Sequence, residues 1–255
     1  MLAAAPQQRD ALAGWALLMK SVGRDAEGAP AREALASRYP LSPLYAYRHA
    51  YMLWSADRIA EADQVLNRAS QLWPRHPGVW TTQLVLLGLT DRVPAARAML
   101  ADAAQRPGYV GDKLLHLFDR SFVALASRTP ADIDEATALH EAAARSGPGG
   151  AIRAMLFLPM LDRLDSAFVV ADGYYLRRGP LAGPVAKADG PPSVNEYDER
   201  KTMVLFIPPT AALRADPRFD TLCEGIGLID YWRKARVVPD YREATAVGAG
   251  ARPRS

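Results

Sequence analysis

The chain holds a single cysteine, Cys223, so an internal disulfide is excluded and a cross-linked secreted framework with it. With Phe219, Leu222 and Ile226 around it, Cys223 reads as a small buried hydrophobe rather than a nucleophile. No apolar run is long enough for a bilayer. The best candidate, "AMLFLPMLDRLDSAFVVA", is interrupted by Asp162, Arg163 and Asp165. The opening "MLAAAPQQRD" lacks a basic stretch ahead of an apolar one, so no secretory signal is expected. Charge of one sign is not in excess either. The net charge is +3 and the arginines are dispersed, which argues for a solvated surface over nucleic-acid binding. Together these gaps lead to the expectation of a soluble cytoplasmic protein without membrane insertion.

The signatures of catalysis are also missing. There is no G-x-S-x-G elbow and no H-E-x-x-H pair. "GPGG" at Gly147 to Gly150 lacks the Lys-Ser/Thr ending of a phosphate-cradling loop and reads as a turn. His49, His76, His116 and His140 have no Cys or carboxylate at ligand spacing and read as helix-surface or partly buried residues. Asp132, Asp134 and Glu135 fall at the start of an expected helix, where they favour its positive end. No enzyme activity, metal or cofactor is expected.

What is present is a period. Pro40 and Pro74 are 34 residues apart, as are Leu53 and Leu87, Asp57 and Asp91, Ala62 and Ala96, and Leu66 and Leu100. An arginine follows a break at Arg24, Arg58, Arg92, Arg128 and Arg163, at spacings of 34, 34, 36 and 35. Within the second unit Tyr47, Ala50, Tyr51 and Trp54 recur at helical steps, and Ile59, Ala62, Leu66 and Ala69 do the same. Two helices of about a dozen residues joined by a polar turn form an antiparallel hairpin. Pro40 and Pro74 end the second helix of a pair, because proline disfavours a helical residue before it. Ala50, Ala62 and Ala69 are small where helices cross closely.

A 34-residue helical hairpin with these small positions and a late proline resembles the tetratricopeptide repeat. From Pro43 the match is good. From Pro77, Leu84, Ala96 and Ala103 hold the small or branched places, Trp80 the aromatic one, and Gly108 replaces the proline. A unit from about Arg9 has Gly28 and Leu35 for alanines. A fourth, from about Gly111, has some extra residues placed around "TPADIDEA", and a fifth, from about Gly150, has Tyr174 where a small residue is usual. The resemblance implies an all-α right-handed solenoid of about five hairpins over residues 1–178. A Gly/Pro-rich loop at 179–201, a closing segment at 202–243 and a disordered tail at 244–255 then follow.

Within the closing segment, "TMVLFIPP" is compatible with a short β element at Val204 to Ile207. Asp216 and Pro217 read as an N-cap and first helical residue, opening a helix that buries Phe219, Leu222, Cys223 and Ile226 and stops near Gly227. "LIDYWRKA" is expected to form another. The piece "LRADPRFDTLCEGIGLIDYWRKARVVPDY" resembles the end of tetratricopeptide arrays in bacterial regulators carrying winged-helix or nucleotide-cyclase domains. A solenoid needs such a unit to cover its last apolar face.

The resemblance further implies that first helices line a concave surface. Its places fall on Leu44, Tyr47, Tyr51, Trp54 and Ser55, then on Gly78, Thr81, Val85, Gly88 and Leu89. The aromatics Tyr47, Tyr51 and Trp54 offer contact area at low rotamer cost, either to a peptide or partner helix or to neighbouring helices of the chain. The Lys/Asn carboxylate clamp of some family members is absent. The expected function is a non-catalytic protein-interaction module, the sensory or regulatory part of a bacterial signalling or transcription protein. The alternative is a DNA-associated regulator acting directly through this chain, with Arg48 and Arg58 among the tyrosines.

Overall fold

A computed structural model describes residues 8–182 and 201–243. The described residues form an all-α protein with no strand among them. Ten helices run in sequence: α1 (Arg9–Ser21), α2 (Asp25–Arg38), α3 (Pro43–Ser55), α4 (Ile59–Leu72), α5 (Pro77–Gly88), α6 (Val93–Ala101), α7 (Asp112–Ser127), α8 (Pro130–Ser146), α9 (Pro148–Phe157) and α10 (Leu164–Ala171). Proline opens α3, α5, α8 and α9, where its fixed φ fits and its missing N–H costs nothing. Each odd-numbered helix packs on the even-numbered one after it, and successive pairs pack on each other.

The turn between paired helices is the same device repeated. Gly23, Asp57, Asp91, Arg128 and Asp162 all have positive φ, between 55° and 75°. After four of them the arginine N–H reaches back to a carbonyl five residues earlier: Arg24 to Met19, Arg58 to Leu53, Arg92 to Leu87 and Arg163 to Leu158, at 2.8 to 3.1 Å. This is the left-handed C-terminal cap that satisfies carbonyls a helix end leaves open. Arg128 differs from the other arginines. It occupies the left-handed position itself, and Thr129 follows it as the cap of α8, accepting from Asp132 N. Left-handed residues are therefore spaced 34, 34, 37 and 34 apart. The extra residues of the fourth unit precede Arg128, rather than clustering around "TPADIDEA".

Those extra residues follow a short helix. α6 stops at Ala101, and Asp102 Oδ1 takes the N–H groups of Ala104 and Gln105, folding the chain into a turn. Ala103 is consequently exposed outside the helix. The small residues of the second unit are where tight crossing needs them: Ala50, Ala62 and Ala69 are all buried. At α8 and α9 the approach is closer still. A Cβ on Gly150 would lie 1.9 Å from the Ala143 carbonyl oxygen.

Beyond α10 the chain takes a π-helical turn, Asp172–Leu176. Tyr174 and Tyr175 are buried there, and both bind the start of the closing segment. Lys201 N donates to the Tyr174 hydroxyl at 3.1 Å, and the Tyr175 hydroxyl donates to Lys201 O at 2.9 Å. Tyr174 is therefore large because it anchors the start of the closing segment. The closing segment is helical throughout its first part. Thr202–Phe206 is a 3₁₀ turn rather than the short β element compatible with its sequence. Pro208–Thr210 is another, and α11 (Ala211–Ala215), α12 (Arg218–Gly225) and α13 (Leu228–Ala235) follow. Asp216 Oδ1 caps α12 through Arg218 N, and Gly227 turns the chain at φ 81°. The segment 183–200 and the tail 244–255 lie outside the described residues.

The closing segment returns to the first hairpin. Trp232 Nε1 donates to Val22 O at 2.8 Å, Thr202 Oγ1 to Ser21 O at 2.6 Å, and Asp240 N to Gly23 O at 2.8 Å. Asp240 Oδ2 accepts from Ala26 N at the start of α2. Phe206, Phe219, Trp232 and Tyr241 form an aromatic group with centroids 5.7 to 6.4 Å apart. Phe206 lies over Gly23, where a Cβ would come within 2.8 Å of its ring. This is why the left-handed residue of the first hairpin is glycine while its counterparts carry side chains.

Candidate functional site: a pocket between the first hairpins and the closing segment

Four helices and the closing segment surround a pocket of about 650 Å³, within the range of small-molecule sites. α1 supplies Ala13, Ala16, Leu17 and Lys20, which share one face at helical spacing. α3 supplies Tyr47, Arg48 and Tyr51, and α2 adds Arg32 and Leu35. Ile152 and Leu156 of α9 and the tract 201–204 complete the wall, with Ile207 beside it.

Lys20 is the least expected member. It is 7% exposed, donates to Ser55 Oγ at 3.2 Å and lies 3.5 Å from Asp25 Oδ2. Its ammonium also sits 5.9 Å from the Tyr51 ring. Burial pushes its pKa down, and Asp25 opposes the fall. Arg32 also pairs with Asp25 and donates to Ala16 O at 2.7 Å, and burial lowers its pKa as well. Tyr51 is half-buried, and burial raises its hydroxyl to about 12 despite hydrogen bonding with Thr82. The charged side chains lining the pocket are Lys20, Arg32, Arg48 and Lys201; no carboxylate is among the described residues that line it.

The residues expected on a concave surface divide. Tyr47 and Tyr51 line the pocket. Tyr47 lies across the start of α5, where Gly78 makes room: a Cβ there would meet its ring at 2.4 Å. Ser55 takes part by holding Lys20, and also donates to Tyr51 O at 2.9 Å. Trp54 is buried behind Tyr51, with ring centroids 5.7 Å apart. Val85 is enclosed in the core. Leu44 is half-buried away from the pocket, and Thr81 hydrogen-bonds Tyr109. Sequence reasoning missed Lys20, Arg32 and the tract 201–207. A lysine on the same helical face as Ala13, Ala16 and Leu17 was the available signal for the first.

One other pair has the look of chemistry. Ser121 Oγ is 2.8 Å from His140 Nε2. The hydroxyl also donates to Leu117 O at 2.6 Å, so the imidazole donates from Nε2 and its Nδ1 has no partner. Both side chains are 0% exposed, and the ring stacks on Phe157 at 5.1 Å. Burial, with Arg153 nearby, holds His140 down at about 3. No substrate can reach this pair without opening the core. Cys223 is likewise sealed in, its thiol raised to about 12 by burial. Among the described residues no group of His, Cys, Asp or Glu is placed to hold a metal, and no helix is long and apolar enough to cross a membrane.

Comparison with protein-family models, curated proteins and solved structures returns no match.

Proposed function

We propose that the chain is a non-catalytic binding module, a right-handed solenoid of about five tetratricopeptide-like hairpins that holds a protein or peptide partner. The observation that carries this reading is the recurrent turn. A left-handed residue closes each of the five turns at spacings of 34, 34, 37 and 34, and in four of them the next N–H caps the helix before it. Similar caps favour similar hairpins, and similar hairpins stack into an array with a continuous inner face. The turn arginine supports the stacking by reaching back to the preceding second helix. Arg92 pairs with Asp63 at 2.5 Å, Arg163 with Asp134 at 2.7 Å and Arg58 with Glu33 at 3.5 Å. Each pair is partly exposed and screened by solvent, so their role is register more than stability.

In this reading Tyr47 and Tyr51 present the binding surface, Trp54 supports them from behind, and the closing segment covers the end of the array. The module serves as the sensory or regulatory part of a cytoplasmic signalling or transcription protein. The test is a quantitative capture experiment with the wild-type chain and a Tyr47→Ala/Tyr51→Ala variant of matching helical content. A partner held by wild type and lost by the variant is the expected result. Equal capture by both chains overturns the assignment of this face.

A further inference from the structure

We infer that the pocket between α1, α3, α9 and the closing segment is a site for one amphipathic organic anion, an apolar body bearing a single carboxylate-type head that meets Lys20 and Arg48. The inference rests on the reading of the chain as a binding module and names what the pocket on that module takes.

Three observations point to this chemistry. Size is the first. About 650 Å³ accommodates one small molecule and no folded partner. The walls come next. Leu17, Leu35, Ile152, Leu156, Val204 and Ile207 are aliphatic, so most of the ligand must be apolar to gain from entering. Charge decides the rest. Four cations and no described carboxylate line the space, so a cationic ligand is repelled and a neutral one leaves the cations more poorly solvated.

Two of those cations have capacity for a ligand. An ammonium has three N–H donors; Ser55 and Asp25 take two from Lys20. Arg48 is half-buried and forms no ion pair among the described residues. Arg32, by contrast, spends its guanidinium on Ala16 O and on Asp25. An anionic head therefore adds the acceptor that a buried, partly compensated charge cluster lacks. Tyr51, with its ring beside Lys20, gives the head a further wall.

The test is calorimetric titration of the full chain at neutral pH with decanoate, with decan-1-ol as the matched neutral probe. Decanoate is expected to bind saturably at one per chain, at least tenfold more tightly than decanol. Lys20→Met keeps the buried volume and removes the charge; it is expected to weaken decanoate tenfold and leave decanol unchanged. Arg48→Gln, at a half-exposed position that tolerates substitution, is expected to weaken decanoate severalfold, and it is the deciding variant if Lys20→Met does not fold. No decanoate binding at millimolar concentration overturns the inference. Equal affinity for the two probes, or unchanged decanoate affinity in the folded variants, does so as well. A chain that captures a protein partner through Tyr47 and Tyr51 yet ignores decanoate loses only this inference. One that binds decanoate and captures no protein loses only the protein-partner reading.

Discussion

Asp57 and Asp91 hold left-handed backbone at the turns of the second and third hairpins, a conformation that costs an L-residue roughly 1 kcal/mol relative to glycine. Asp57→Gly is therefore expected to raise the melting temperature, and Asp57→Val to lower it, in thermal melts by circular dichroism. Ala62 is 0% exposed between packed helices, so Ala62→Leu is expected to overpack the hairpin and cost about 1–3 kcal/mol in denaturant titration. His140 gives a pH dependence of known sign. Its pKa is held at about 3 in the folded chain against about 6.5 when unfolded, so the folded state must stay neutral where the unfolded state gains a proton. The contribution is complete above pH 6.5 and falls by about 1.4 kcal/mol per unit as pH drops toward 3. His140→Gln keeps a donor to Ser121 and does not titrate, so its stability is expected to decline less between pH 7 and 5. At this scale the sequence revealed the Asp-Arg turn and the small alanines, because both follow from local spacing. It did not reveal that Ser121 and His140 meet, or that Lys20 is buried, since each depends on a partner from another helix.

Most helix boundaries follow from local rules, although Pro30 stands inside α2. Prolines at the first positions of α3 and α5 and after α2 and α4 bound the helices as their chemistry requires. α6 is shorter than its counterpart α4 because Asp102 competes for the following N–H groups, a choice that local spacing alone leaves open. At Val204 to Ile207 an apolar tract without a neighbouring strand has no ladder to join, and it coils into a 3₁₀ turn against α1 and α9 instead. The closest approach at a glycine, at Gly150, falls in the first turn of α9, in a "GPGG" that reads as a turn in the sequence and whose packing role no motif announces. Gly150→Ala is expected to force α8 and α9 apart and to cost at least about 1–3 kcal/mol, measured by denaturant titration. A neutral result there requires that the two helices separate freely.

For the whole molecule, the all-helical class was legible from the 34-residue period. The pocket was not, because it exists only once residues 201–207 fold back beside α1, nearly two hundred positions away in sequence. Helical spacing puts Tyr47 and Tyr51 on one stripe of α3, and both line the pocket, but their neighbours Lys20 and Arg32 belong to the first hairpin and Met203 and Val204 to the closing segment. The pocket therefore depends on the closing segment and the first hairpin behaving as one structural unit. Trp232 provides the most direct handle, since its indole N–H holds Val22 O while its ring packs with Phe206 and Tyr241. Native-state hydrogen exchange on a Trp232→Phe variant, which keeps an aromatic ring and removes only the donor, tests this coupling. Amides of 19–32 and of 203–241 are expected to lose protection together, with α4 and α6 unchanged. Loss confined to the closing segment, or spread evenly over the chain, would contradict it.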